Sequence, residues 1–283
     1  MSRIAYVNGR YVPMSTASIH IEDRGFQFGD AVYDVWFYFR GALADYSGHL
    51  ERLKRSLGEI EMTLPISDPA LHQILLRVAR LNRLKEGIVY IQVSRGAAPR
   101  EHGFPDILVK PTLVITAKPV SFVRIEERAR TGVAVVTCPD ERWARCDIKT
   151  VNLLPNVLAK QAAKRAGAYE AWLVDADGQV TEGTSTTAWI INDNKTVQTR
   201  TLDHHVLPGV TRESLLRIIA ASGYRLIEEG FTPSDVLVAR EAFLTSATNF
   251  VMPVISLDGK PVGDGRPGPG TLALRDAYLG SIT

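Results

Sequence analysis

Apolar and polar positions along this chain change period several times, and each change predicts an element. Ile4-Ala5-Tyr6-Val7, an Asn8-Gly9 turn and Arg10-Tyr11-Val12 predict a hairpin, since Asn-Gly accepts the positive φ angles of a tight turn. Residues 32–39 are aromatic and β-branched and predict a strand. Period 2 puts Tyr33, Val35 and Phe37 on one face and Asp34, Trp36 and Tyr38 on the other. Helical spacing follows: Leu50, Leu53, Leu57 and Ile60 mark a helix over 48–62. A second helix starts at Ser67-Asp68-Pro69 and carries Leu71, Ile74, Leu75, Val78 and Leu81. Segments 87–95 and 112–117 read as strands, and the pattern pauses at Lys118-Pro119-Val120-Ser121.

Beyond the pause, 132–138 reads as a strand, and a helix over 153–166 has Pro155 in its first turn and ends at Gly167. Strands at 170–175, 179–182 and 186–192 are joined by turns at Asp177-Gly178 and Asn192-Asp193-Asn194. Thr211 is expected to cap a helix over 212–222 that stops at Gly223. A strand at 241–246, a hairpin around Asp258-Gly259, a Gly- and Pro-rich loop at 263–270 and a last helix complete the chain. The expectation is an α+β fold in two domains, a small N-terminal one over 1–120 and a larger C-terminal α/β one over 121–283 carrying Lys149. The irregular mixing of strands and helices argues against a dinucleotide-binding fold.

Composition narrows the partners. The chain has 283 residues, 45% of them apolar, and a formal charge of +2. That balance gives no electrostatic case for nucleic acid or membrane partners. The first residues, MSRIAYVNGRYVP, lack a signal-peptide apolar core, and no apolar run reaches membrane-spanning length, so the expected location is cytoplasmic. Cys138 and Cys146 are expected as free thiols. None of the six histidines has zinc-ligand spacing, so no metal is expected.

Three groups could carry chemistry together. Lys149, among Ile148, Val151, Leu153 and Leu154, is a candidate Schiff-base nucleophile, which needs burial or nearby positive charge to be partly neutral. Glu182, in Val180-Thr181-Glu182-Gly183-Thr184-Ser185, is a candidate partner for a pyridine nitrogen. Gly209-Val210-Thr211, at a helix start, could cradle a phosphate on backbone N–H groups. Thr245-Ser246-Ala247-Thr248 is a second hydroxyl-rich turn, and Arg52 could add a bidentate contact. Arg100 and His102, on a loop framed by glycine and proline, could trap a carboxylate. Taken singly, each charged residue reads more readily as a solvated charge, and Gly209-Val210-Thr211 equally as a plain helix cap. His204-His205 reads as an exposed pair without a role.

These residues lie in motifs that resemble the fold-type IV pyridoxal phosphate aminotransferases, most closely the bacterial D-amino acid (D-alanine) aminotransferases. The motifs are EDRGFQFGDAVYDV at 22–35, SRGAAPREHGFP at 94–105, RWARCDIKTVNLLPNVLAKQAA at 142–163, VTEGTST at 180–186 and LPGVTRE at 207–213. The resemblance implies pyridoxal 5'-phosphate as cofactor, Lys149 as its covalent anchor and proton carrier, and Glu182 as the acid at the pyridine nitrogen. It implies that Leu207 lies against the ring and that Arg52, Val210, Thr211, Ser246 and Ala247 form the phosphate cup. Tyr33, Arg100 and His102 would bind the substrate α-carboxylate, with Val35 and Phe37 on the same side of the strand. It further implies a homodimer in which Arg100 and His102 reach the neighbouring subunit's site.

The chain departs from the family pattern in places. Ala247 stands where threonine is frequent, Phe37 stands where well-known members have lysine, and Trp36 and Tyr38 add bulk. These changes bear on substrate range. The expected reaction is transfer of the amino group of a D-amino acid, such as D-alanine or D-glutamate, to a 2-oxo acid, pyruvate or 2-oxoglutarate. The alternatives are an (R)-selective amine transaminase, a branched-chain L-amino acid transaminase, an aminodeoxychorismate lyase and a non-catalytic binding protein. Asp34-Val35-Trp36-Phe37 lacks the branched-chain family's acid-Gly-Ile-Arg run, and the Arg100/His102 loop disfavours the amine and lyase readings.

Overall fold

A computed structural model describes residues 3–192 and 195–282. The chain divides into two compact units, Met1–Ser121 with Ile148–Asn152, and Phe122–Asp147 with Leu153–Thr283.

The first unit holds strands β1 (Ile4–Val7), β2 (Arg10–Pro13), β3 (Ala31–Phe39), β4 (Ala42–Leu43), β5 (Glu86–Ser94) and β6 (Thr112–Pro119). They form one sheet in the order β2-β1-β6-β5-β3-β4. Asn8 and Gly9 take φ of 46° and 93°, as the two-residue hairpin requires. Helices α2 (Tyr46–Gly58) and α3 (Asp68–Leu81) cover one face, and the short α1 (Arg24–Phe28) precedes β3. Register pairs Val32 with Val93, Asp34 with Ile91 and Trp36 with Val89. Leu53, Leu57, Leu71, Leu75 and Val78 pack on that row and are fully buried. Each such side chain contributes about 1.5–3 kcal/mol. The other face of β3 presents Tyr33, Val35 and Phe37, in register with Gln92, Tyr90 and Ile88.

The second unit holds α4 (Phe122–Thr131), β7 (Val133–Pro139), α5 (Leu154–Arg165), β8 (Glu170–Val174), β9 (Val180–Gly183), β10 (Thr187–Asn192) and β11 (Thr196–Thr199). Then come α6 (Val210–Ala221), β12 (Arg225–Glu228), α7 (Pro233–Val238), β13 (Glu241–Ser246), β14 (Phe250–Leu257), β15 (Lys260–Pro261) and α8 (Pro269–Ser281). Its sheet runs β12-β11-β10-β13-β14-β7-β8-β9, with β15 on β14. Ala159 and Ala163 of α5 bury against Ala171 and Leu173 of β8. At the start of α8 the Glu241 carboxylate accepts the N–H groups of Gly270 and Thr271 at 3.0 and 2.7 Å. No helix among the described residues is long and apolar enough to cross a membrane.

The fold differs from the reading of the sequence in instructive ways. Helix α4 is not apparent in the sequence because its buried residues are only Ile125 and Ala129. Strands β11 and β12 are four residues each and pair in parallel, too short to show a period. Thr211 is not a cap: Gly209 occupies the N-cap of α6 and Thr211 lies in its first turn. Of the Asn192-Asp193-Asn194 turn, Asp193 and Asn194 lie outside the described residues. The segment carrying Lys149 groups with the first unit, whereas the sequence reading assigns it to the second. The reason is backbone pairing. Tyr33 N–H donates to Lys149 O at 3.0 Å, Val151 N–H donates to Ala31 O at 3.2 Å, and Val32 bridges Thr150.

Candidate active site

In the first unit the Lys149 segment lies along the start of β3. Its backbone N–H donates to the buried Ser56 hydroxyl at 3.2 Å. Gly29, at φ 70°, lets the chain pass close to it: a Cβ there would fall 1.9 Å from Asn152 Oδ1. The Lys149 side chain is half-buried. Its Nζ donates to the Tyr33 hydroxyl at 3.4 Å and lies 4.4 Å from the centre of the Tyr33 ring. Tyr33 is held in turn by stacking on Tyr90 at 5.5 Å, and the Tyr90 hydroxyl donates to Gln92 Oε1 at 2.8 Å. Burial, with Tyr33 beside it, pushes the Tyr90 phenol well above its usual range, so it stays neutral. Val35 is half-buried on the same face, and Phe37 is buried.

On the helix side of β3 lies a charged cluster. Arg52 donates from Nε and Nη2 to both oxygens of Asp34 at 2.9 and 2.8 Å, and His49 Nδ1 lies 2.8 Å from Asp34 Oδ1. Burial acts to raise the Asp34 carboxyl, but the Arg52 guanidinium and His49 outweigh it and hold the group well below the usual carboxylate range. Burial also lowers His49 against the pull of Asp34. Asp34 thus fixes the orientation of Arg52.

Arg100 and His102 sit on an exposed loop beside α1. Both pack on Phe28: the Arg100 guanidinium is 5.1 Å from the ring centre and the His102 ring 5.4 Å away. The buried Arg24 anchors the loop, donating to Glu101 O at 2.6 Å and His102 O at 3.3 Å while pairing with Asp30 at 2.8 Å. Among the described residues no hydrogen bond, ion pair or ring contact joins Arg100 or His102 to Lys149 or Tyr33.

The second unit gathers the acid and the cradle at one end of β10 and β13. Thr187 is the register partner of Thr245, and its Oγ1 would lie 3.0 Å from a Cβ on Gly209. The turn between Glu182 and β10, the N-terminus of α6 and the turn after β13 therefore share that end. Glu182 is buried; Arg142 donates to its Oε1, and the Leu207 N–H donates to Oε2 at 3.3 Å. The N-cap of α6 is Gly209, which has no side chain to cap the helix. The hydroxyl of the buried Thr211 has no hydrogen-bond partner among the described residues. Ser246 Oγ accepts both the backbone N–H and the amide of Asn249, at 3.1 and 3.0 Å, which shapes the turn containing Ala247.

Some functional candidates escape the sequence reading. Arg142 lies within the RWARCDIK motif, yet only the folded chain shows it gripping Glu182. Glu170 is fully buried and accepts the hydroxyls of Thr184, Ser185 and Thr186, so those hydroxyls shape the turn after Glu182. A charged residue opening a strand as apolar as Glu170-Ala171-Trp172-Leu173-Val174 was the available signal, since burial there demands partners. His204 lies 3.3 Å from Asp147, and the His205 carbonyl accepts from Arg142 at 3.0 Å.

Comparison with known proteins bears on the family of the chain. Residues 31–257 match the family of class IV amino-transferases. A D-alanine aminotransferase of Bacillus licheniformis is 39% identical over 275 residues, covering 97% of this chain and 95% of that protein. One of Listeria monocytogenes is 37% identical over 278 residues, covering 98% and 95%. Among solved structures, the branched-chain amino acid aminotransferase from Escherichia coli superposes with a TM-score of 0.89 at 22% identity, covering 100% of this chain and 95% of that one, a likeness of fold.

Proposed function

This chain belongs to the class IV aminotransferases, and from that premise we propose that it transfers the amino group of a D-amino acid, D-alanine foremost, to a 2-oxo acid with pyridoxal 5'-phosphate as cofactor. The observation that carries this reading is the half-buried amine of Lys149 held against the Tyr33 hydroxyl. An amine so placed can anchor a carbonyl cofactor and carry a proton.

The second unit fits a phosphate-bearing group. The start of α6 at Gly209 and the buried Thr211 hydroxyl, which has no hydrogen-bond partner among the described residues, supply the donors such an anion needs. Val210, Thr211, Ser246 and Ala247 would hold the phosphate, with the charge of Arg52; Leu207 would lie on the ring and Glu182 at its nitrogen. When bound, the cofactor supplies the carbonyl that takes up the amino group and a ring that spreads negative charge.

The chain's own groups do the rest. Lys149 Nζ moves a proton at the substrate α-carbon, and Tyr33 keeps that nitrogen aimed. Glu182 holds a proton at the ring nitrogen. Tyr33, Arg100 and His102 bind the α-carboxylate, and Val35 and Phe37 face the substrate side chain. Arg100 and His102 serve the site of a second copy in a homodimer. The exposed Phe104, Ile107 and Leu108 on the same loop support that assembly, because apolar side chains clustered in water favour a partner surface.

The test is a half-reaction panel. Cofactor-loaded protein is mixed with D-alanine, D-glutamate, L-leucine or (R)-1-phenylethylamine, and loss of the visible cofactor band is followed. D-alanine should discharge the band fastest. A faster response to L-leucine or to the amine would replace the proposal with the corresponding transaminase.

A further inference from the structure

We propose that Arg142 and Asp140 form a counter-charged clamp that positions Glu182, and that through Glu182 this clamp governs how tightly the ring nitrogen of the cofactor is held. The proposal rests on the reading of Glu182 as the partner of that nitrogen.

The geometry is that of a fixed fork. The Arg142 side chain is 6% exposed. Its Nε and Nη2 take both oxygens of Asp140 at 2.9 and 2.7 Å, while Nη1 donates to Glu182 Oε1. Nη2 also reaches Thr181 Oγ1 at 3.2 Å and His205 O at 3.0 Å. Asp140 is secured independently by the Thr181 hydroxyl at 2.6 Å. A guanidinium tied at this many points cannot swing, so Glu182 cannot rotate away from it. The Leu207 N–H fixes the second oxygen of Glu182, and Leu207 itself precedes the α6 cradle by two residues. One side-chain cluster therefore sets the acid relative to the phosphate-binding end of the same unit.

Charge explains why Asp140 belongs to the clamp. An arginine beside Glu182 alone would neutralise it and compete with a protonated ring nitrogen for the same carboxylate. With Asp140 also ionised, the guanidinium is shared between two carboxylates and is not given over to Glu182 alone. Asp140 remains ionised because its hydrogen bonds to Arg142 outweigh its burial and lower it from the ordinary range. Cys146, also close, adds no charge, since burial pushes its thiol up to about 12. The low exposure of the cluster keeps these interactions from being screened by solvent.

The test compares pyridoxal phosphate with its carbocyclic analogue, in which a C–H replaces the ring nitrogen. Dissociation constants for both are measured by fluorescence on the full-length apoprotein. The native protein should bind pyridoxal phosphate at least tenfold tighter than the analogue. Asp140→Asn should weaken pyridoxal phosphate about tenfold and leave the analogue within twofold. On a Glu182→Gln background, Asp140→Asn should cause no further selective loss. Arg142→Lys gives a second route should Asp140→Asn fail to fold: one ammonium cannot fork across both acids, so the same selective loss of about fivefold is expected. Equal losses for both ligands, or none, in the variant that folds would overturn the clamp while leaving the transaminase reading intact. A native protein that binds both ligands equally would remove Glu182 from the ring nitrogen, and the clamp with it.

Discussion

Lys149 Nζ lies 3.4 Å from the Tyr33 hydroxyl, and the backbone carbonyl of Lys149 accepts the Tyr33 N–H at 3.0 Å. The two residues are 116 positions apart in sequence, yet they are tied by both main chain and side chain. The backbone bond sets the register of the lysine segment on β3, and the side-chain bond then aims the amine.

Tyr33→Phe should therefore slow amino transfer without unfolding the protein. The ring keeps its stack on Tyr90, and only the hydroxyl contact is lost. A hydrogen bond to a charged group contributes about 1.5–3 kcal/mol, so a loss of roughly ten- to a hundredfold in kcat is expected. Single-turnover rates with D-alanine check this, and a rate within twofold of the native one would show that the hydroxyl does not orient the amine.

Lys149→Ala should abolish turnover and covalent cofactor attachment while the protein still folds, because the pairing with β3 is made by the main chain. Borohydride reduction of the native holoenzyme and peptide mapping should place the label on Lys149. A label on any other lysine contradicts the assignment.

Asp34→Asn should destabilise the fold through the loss of a buried partner for Arg52. Breaking a buried pair from one side costs about 3–5 kcal/mol. Because the native Asp34 carboxyl is depressed, its contribution is present above the unfolded value of about 3.9 and is lost as pH falls through the lower folded value. The gap in melting temperature between native protein and variant should thus narrow as pH falls below about 4. A gap that stays constant would remove Asp34 from the linkage.

The elements that frame the site were largely legible in the sequence, and their contacts were not. Period 2 in β3 correctly separated Tyr33 from Asp34, because strand geometry alone dictates that alternation. The partner of Asp34 could not be read, since Arg52 is 18 residues away on a helix whose rotation is set by packing. Arg142 illustrates the same limit: its grip on Glu182 spans 40 residues and depends on β8 pairing with both β7 and β9 in the sheet. The capping role expected of Thr211 failed because Gly209 takes the extended N-cap conformation and leaves the threonine inside the turn. Its hydroxyl is then buried with no hydrogen-bond partner among the described residues, a more informative state than a cap.

Arg100→Ala should weaken D-alanine far more than a carboxylate-free amine. Truncating one partner of a buried charged pair costs about 2–5 kcal/mol, or about thirtyfold to several thousandfold. (R)-1-phenylethylamine has no carboxylate to lose, so its rate should change little. Mixed dimers of Arg100→Ala with Lys149→Ala should regain one sound site. Equal losses for the two substrates would refute the carboxylate contact, and absence of recovery on mixing would refute sharing between subunits.

Transfer of nitrogen between D-amino acids can be followed with an isotope. D-[15N]alanine and unlabelled 2-oxoglutarate are incubated with the holoenzyme, and the glutamate formed is resolved on a chiral column and weighed by mass spectrometry. The expected product is D-glutamate carrying 15N, matched by an equal amount of pyruvate and absent with Lys149→Ala. Label in L-glutamate, or no transfer from D-alanine, would contradict it.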